Sequence, residues 1–509
     1  MPKKYLCFQV SSFFLLASAS VAQPQPSRAR DRVAAAIAAQ GGELKLRAIH
    51  NVQIEAMGVR YELEQSERPE GPYVVEYQTL SEIHDHQKHR VRRSLEIKVP
   101  PLYVTSNAWV ANREAVARES SSGLAPGPSS LLAEANEMLA LAPERLLLTA
   151  LDSPDLHEEA DVTVGSVPQH VVAFKYNGSP VRIFLSADTH LPSLVESSGA
   201  LANNGPWRFL GDAKMQVRWT LWWLAGNGIR YPMQWNMERN GLAEGVVSIQ
   251  SLRIDAPLDE KALDIPSTVV ERFRAQPPPT GLESLPLPAA GAAELAPGLV
   301  LIPGSWNVSL IEQDDGIVIL EAPISSGYSA QVIAEAERRF PGKRIQAVIT
   351  TSDAWPHLAG IREYAARGIP IYALNRNRPI LDRVLHEQRA SKPDALSRRP
   401  KAPIFHLVAG KTVIGRGPNR IELYPALGSI SERQMIAYFP QHRLLYGSDA
   451  FQKQQDGAYF LPQQITEILA AVERNRLQVD RFFMMHMGLT HWKEPAAAVA
   501  KAVASGQTN

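Results

Sequence analysis

The chain has 509 residues, 45% of them hydrophobic and 21% charged, which is the length of two or three domains with ordinary soluble composition. Its formal net charge is +1, so there is no electrostatic ground for a nucleic-acid partner or a membrane-surface patch. The single cysteine, Cys7, stands near the start. Beyond it a disulfide framework, a thiolate metal site and a cysteine nucleophile are excluded.

Residues 1–22 have the form of a cleavable export signal. Lys3 and Lys4 precede an apolar run from Tyr5 to Leu16, and small residues end at Ala22 before Gln23 and Pro24. Cleavage is expected after Ala22, and the run is too short to remain as a transmembrane anchor. The mature protein is therefore expected to be periplasmic or secreted. From 30 to 270 the alternation of polar and apolar residues predicts mainly antiparallel strands, among them Val52–Glu64, Tyr73–Val99, Asp161–Tyr176 and Lys214–Leu224. Apolar residues at helical spacing predict one helical stretch near Ser129–Leu148. A sheet curled around a helix as a half-barrel follows from this layout, which is similar to that of bacterial periplasmic lipoprotein-carrier domains. Arg90 to Arg93 reads as a solvated strand face. His84-Asp85-His86-Gln87-Lys88-His89 reads as a polar, exposed strand or turn, because alternation puts His89 on the face opposite His84 and His86. Trp219, Trp222, Trp223 and Trp235 read as sheet-face packing, with an apolar cavity as the alternative.

Residues 271–298 are rich in proline and alanine, a composition that predicts an extended linker that does not pack. From 299 to 495 strands alternate with helices: Val300–Ile302, Val308–Glu312, Gly316–Leu320, a helix over Ser329–Phe340, a buried strand Ala347–Thr350 and a helix over His357–Arg367. Strands Lys411–Ile414, Ile421–Tyr424, Met435–Phe439 and Leu444–Tyr446 follow, then a helix over Gln464–Arg474 and a strand at Arg481–Met485. Two strand-rich halves with outer helices predict an αββα sandwich, making the whole chain α+β. Residues 496–509 read as a C-terminal tail.

Four landmarks in this second domain point further. They are Asn307-to-Leu320 followed by Glu321-Ala322-Pro323, the segment Thr351 to His357, the run Tyr438-Phe439-Pro440 to Ser448-Asp449, and Met484-Met485-His486-Met487-Gly488. In order and spacing they resemble the metallo-β-lactamase superfamily, with the His-x-His-x-Asp-His motif degenerate. The resemblance implies a site for two metal ions, and mapping its ligands gives an uneven loss. For the first ion, Ser352 and Ala354 replace the histidine pair, and no histidine stands near Ser429-Ile430-Ser431; only the bridging position, Asp449, remains. For the second ion Pro356 replaces the aspartate, while His357, Asp449 and His486 persist. Two imidazoles and a carboxylate suffice for one zinc or non-haem iron ion, so a one-metal remnant is expected and a two-metal site is not. Asp449 would orient the attacking water. Asp353 is a candidate fourth ligand, Glu321 a loop support, and Ser352, Asp353, Trp355, Glu321 and His491 are candidate pocket residues. Two functions follow as expectations. One is a divergent metal-dependent hydrolase of an ester, amide or phosphoester. The other is a catalytically inactive binding protein of the cell envelope, holding a small apolar ligand or a protein partner.

Overall fold

The computed structural model describes residues 26–63, 74–99, 103–203, 211–289, 291–453 and 457–504. The expected export signal and the last residues of the tail lie outside them. No helix among the described residues is long and apolar enough to cross a membrane.

The N-terminal domain is a thirteen-stranded antiparallel sheet in which each strand pairs with its sequence neighbour, and the first strand, Asn51–Glu62, joins the last, Leu242–Ile254. Alternate residues of the strands bury on one side. There Val52, Ile54, Phe174, Ile183 and Tyr231 meet Val33 and Ile37 of the helix Pro26–Gln40, and Leu147 of the helix Leu146–Asp152. Ala135 and Met138 of the helix Ser130–Leu141 pack on Val91 and Trp109. Helix residues Leu131 and Met138 line one cavity of about 410 Å³ with Leu80, Trp109, Trp219 and Val247 of the sheet, so the sheet bends around that helix. The single helical stretch expected at 129–148 is two helices, interrupted at Ala142–Pro143, because proline lacks the donor needed to continue the first. The helix at 26–40 and the edge strands between Tyr103 and Pro126 were not predicted.

The tryptophan cluster divides. Leu221, with φ 53°, breaks the pairing between Thr220 and Trp222, so Trp219 and Trp222 meet edge to face at 6.2 Å on one side. Trp219 and Trp235 line the cavity, while Trp223 is 65% exposed.

The expected linker packs. Leu282, Leu285 and Leu287 lie against the core of the second domain, Ser325 Oγ donates to Leu282 O at 2.9 Å, and Ala293–Ala296 is an edge strand paired with Leu299–Ile302. The leucines and alanines between the prolines supply apolar surface that composition alone assigns to solvent.

The C-terminal domain holds two sheets, each ordered as in the sequence. Seven strands run from Ala293–Ala296 to Phe405–Val408, the last joined in parallel, and six run from Thr412–Ile414 to Met487–His491. Alternation separates the layers. Val318, Leu320 and Ile349 of the first sheet meet Met435, Ala437 and Phe439 of the second. Ile317, Ile319 and Val348 face the helices Ser326–Arg339 and Ile361–Arg367, and Ile436 and Tyr438 face the helix Pro462–Arg474. The result is the four-layered αββα sandwich. The helix expected at 357–367 is two, Trp355–Leu358 and Ile361–Arg367. They are separated at Gly360, where a Cβ would collide with Ser329 Oγ and lie 2.8 Å from Ser325 O. The expected tail at 496–509 begins inside a helix, Lys493–Ala504, with Val499 on the outer core.

Candidate metal centre

Three loops at the strand ends meet on one side of the sandwich. The strand Ile345–Thr350 leads through Thr351–Ala354 into the short helix that carries His357. The strand Leu444–Tyr446 leads through Gly447 and Ser448 to Asp449. His486 stands in the turn between the strands Arg481–Met484 and Met487–His491. The ligand atoms of His357, Asp449 and His486 lie within 4.8 Å of one another.

The surroundings fix each side chain. His486 Nε2 is 3.0 Å from Asp449 Oδ1, and its Nδ1 is 2.6 Å from Ser305 O. Asn307 clamps the same turn, its amide nitrogen donating to Met484 O at 2.9 Å and to Met487 O at 3.1 Å. Gln452 Nε2 donates to Asp449 Oδ1 at 2.7 Å. His357 Nε2 faces Asp449 Oδ2 at 3.8 Å, beyond hydrogen-bond reach, and its buried Nδ1 has no hydrogen-bond partner among the described residues. Burial holds the His357 pKa down to about 4, with Asp449 opposing and His486 reinforcing the shift. Burial also works against charge on His486, but the contacts with Asp449 and Ser305 outweigh it and the net shift is upward. Asp449 is lowered: burial opposes its ionisation, and the two histidines and Gln452 overcome that.

Beneath the site, Glu321 is fully buried. Its carboxyl accepts from Thr351 Oγ1, and Thr351 Oγ1 lies 2.8 Å from Ser448 Oγ. Glu321, Ile324 and Ser448 have φ of 80°, 74° and 61°. The left-handed region is costly for side-chain-bearing residues, most of all a β-branched one, and such strain gathers at functional sites. A cleft of about 570 Å³ opens beside the site between the domains. It is lined by Ser352, Asp353, Asp449 and Gln452 on one side and by Arg60, Glu76 and Tyr103 on the other.

Several expected pocket residues are elsewhere. Trp355 is 2% exposed and packs in the core, with Arg383 over its ring at 5.5 Å; an indole that opens a helix beside the helix Arg378–His386 gains more by burial than by narrowing a cleft. Glu321 lies under the loop rather than in the cleft. His491 is exposed at the end of its strand, paired with Arg481, where alternation along the edge strand turns it outward. Ile430, where the resemblance expects a histidine, lines the cleft. Ser305, Asn307 and Gln452 escaped the sequence reading as site residues, and only Gln452, three residues after Asp449, carries a local signal.

The His84–His89 segment is only partly exposed: Gln87 and Lys88 face solvent, while His84 and Asp85 are buried and His86 and His89 half-buried. His84 is 2% exposed, and both His84 Nδ1 and His86 Nε2 lie 2.9 Å from Glu144 Oε1. Arg90 is buried against Asp85, and Arg93 reaches Glu82 at 3.3 Å. The strand's polar face turns inward because the bent sheet encloses it, which alternation cannot reveal.

No family model matches the chain, and no curated protein does. Among solved structures it is similar to the DIM-1 metallo-β-lactamase, with 13% identity, 42% of this chain and 97% of that one covered, and a TM-score of 0.33. It is also similar to the FIM-1 metallo-β-lactamase of Pseudomonas aeruginosa in its mono-zinc form, with 12% identity, coverage of 43% and 96%, and a TM-score of 0.34. A third is the stereoselective inverting sec-alkylsulfatase Pisa1 of Pseudomonas sp., with 17% identity and a TM-score of 0.31, where 41% of this chain spans 40% of that one.

Proposed function

We propose that the C-terminal αββα sandwich of this chain is of the metallo-β-lactamase fold and that the protein is an exported hydrolase working with a single zinc or iron ion at His357, Asp449 and His486. The observation that supports this is the state of the three side chains. His486 has its far nitrogen engaged by Ser305 O and its near nitrogen turned to Asp449, the second-partner arrangement that orients a ligating imidazole. His357 is buried, and its Nε2 faces a carboxylate oxygen of Asp449 at 3.8 Å, beyond a hydrogen bond and with its lone pair uncommitted. Two nitrogens and one carboxylate fit such an ion.

When bound there, the ion supplies Lewis-acid activation of water and polarises a carbonyl or phosphoryl oxygen. His357, neutral because burial lowers its pKa, presents a lone pair at neutral pH. Asp449, ionised and held by Gln452, orients a water and accepts its hydrogen bond. Arg60 and Tyr103, from the other domain, border the space in which a substrate would lie. The test is hydrolysis of a panel of ester, amide and phosphoester substrates by the metal-loaded mature chain. His486→Ala should remove both the activity and one equivalent of bound metal relative to wild type. Unchanged metal content in that variant sinks the reading.

A second reading, ligand binding without catalysis, is favoured by the N-terminal cavity, whose wall includes Leu80, Trp109, Met138, Trp219 and Trp235. Its ligand would be a small apolar molecule of the cell envelope. Under this reading His486→Ala leaves intact the change in tryptophan fluorescence on titration with a single-chain amphiphile. No change in wild type counts against it.

A further inference from the structure

Glu144 follows Pro143 in the turn between two helices of the N-terminal domain, and its side chain is fully buried. Its Oε1 lies 2.9 Å from His84 Nδ1 and 2.9 Å from His86 Nε2. Its Oε2 accepts from Tyr231 OH at 3.0 Å. The three ligand atoms lie within 4.8 Å of one another. His84 belongs to the strand Val74–Asp85 and His86 stands just past its end, while Glu144 comes from a segment 60 residues from His84. The convergence is therefore tertiary, not a product of local sequence.

The outer partners suit either a metal ion or a second proton on His84, and a neutral His84 alone does not satisfy them. His84 Nε2 is 3.4 Å from Glu82 Oε2, and Glu82 is in turn held by Arg93 at 3.3 Å. A neutral imidazole has one ring proton. If the proton serves Glu144 from Nδ1, the Nε2 lone pair faces the Glu82 carboxylate. If it serves Glu82 from Nε2, the Nδ1 lone pair faces Glu144. Either choice sets a lone pair against a carboxylate in a dry site, where electrostatic mismatch is costly. A cation at Nδ1 resolves both contacts: Nε2–H donates to Glu82 and Nδ1 shares the cation with Glu144. A carboxylate behind a histidine and a hydroxyl on the far oxygen of a ligating carboxylate are the outer contacts that metal ligands usually make.

We propose that His84 Nδ1, His86 Nε2 and Glu144 Oε1 bind one divalent transition-metal ion of the zinc class, oriented by Glu82 and Tyr231. This site is separate from the one at His357 and stands whether or not that one binds metal. His84 and Glu82 also line the N-terminal cavity, so the ion would sit beside whatever the cavity holds.

The test uses the full mature chain carrying His486→Ala, which removes the C-terminal site from the measurement. After chelator treatment and dialysis it is titrated with zinc, and with cobalt followed by visible absorbance. One equivalent should bind with a tetrahedral or five-coordinate cobalt spectrum. Adding Glu144→Gln, or separately His86→Gln at a less buried position, should abolish that uptake while circular dichroism stays unchanged. Tyr231→Phe should weaken binding by about 10- to 100-fold, as outer-partner changes do. If the folded His486→Ala protein takes up no stoichiometric zinc or cobalt, or if uptake survives both Glu144→Gln and His86→Gln, the proposal is overturned. No uptake would mean that the cluster is a proton-only network with a doubly protonated His84.

Discussion

His486 Nε2 lies 3.0 Å from Asp449 Oδ1, so a proton held in this contact competes with a metal ion for the same lone pairs. The upward shift of His486 means that a proton occupies this contact to a higher pH than in a free histidine, and an incoming ion must displace it. Zinc affinity at this site should therefore rise with pH and level off once His486 is deprotonated without help. Competition with a chromophoric chelator, run in a Glu144→Gln background from about pH 6 to about pH 8, reads this directly. A flat profile would show that His486 does not ligate.

Gln452 holds the oxygen of Asp449 that faces His486, at 2.7 Å. Gln452→Ala removes this constraint without removing a ligand. Metal affinity should fall about 10- to 100-fold, and the urea midpoint should hardly move, since only one part-buried hydrogen bond is lost. A large loss of stability with unchanged affinity would reassign Gln452 to folding.

The sandwich was legible because its strands are buried on both faces and read as short continuous apolar runs, such as Gly316-Ile317-Val318-Ile319-Leu320, all buried. The convergence of His357, Asp449 and His486 was legible because they sit at strand ends whose spacing the resemblance fixes. What was not legible depends on tertiary placement. Nothing near Ser305 announces that its carbonyl will meet His486, 181 residues away. Trp355 could as well have lined a pocket until the helix Arg378–His386, itself unpredicted, supplied a wall for it. The His-x-His of the N-terminal domain looked solvated because the partner its two histidines share, Glu144, lies 60 residues from His84 and 58 from His86.

Asp394 joins the outer helices through Arg362. The guanidinium gives it two bonds, Nε at 2.5 Å and Nη2 at 3.0 Å, and also donates to Val384 O and Leu385 O. Burial opposes the charge on Asp394, but Arg362 and the Ser397 amide hold its carboxyl well below the usual carboxylate range. A depressed folded pKa contributes stability that is complete above the unfolded value and lost as pH falls through and below it. Asp394→Ala leaves Arg362 buried without its partner and should cost about 3–5 kcal/mol at neutral pH. The gap between wild type and variant should narrow below about pH 4. Urea unfolding at both pH values checks this, and a gap that does not change with pH would mean the loss is one of packing.

Glu321 behaves in the opposite sense. Burial is the largest influence on it, and although Thr351 and Tyr446 favour its ionised form, its pKa is raised to about 7. A raised folded pKa contributes stability that is complete below the unfolded value and lost as pH rises through the folded one. Wild type should therefore lose stability between about pH 4.5 and about pH 7 through this one carboxyl, by up to about 3 kcal/mol at 1.36 kcal/mol per unit. Glu321→Gln keeps an oxygen for Thr351 and carries no charge, so its stability should lack this component. The two proteins should be close at about pH 5, and the variant the more stable at about pH 8. Unfolding in the presence of chelator keeps any ion near Asp449 out of the comparison. Parallel pH profiles for the two proteins would show that Glu321 is ionised throughout, with the Thr351 and Tyr446 contacts stronger than its burial.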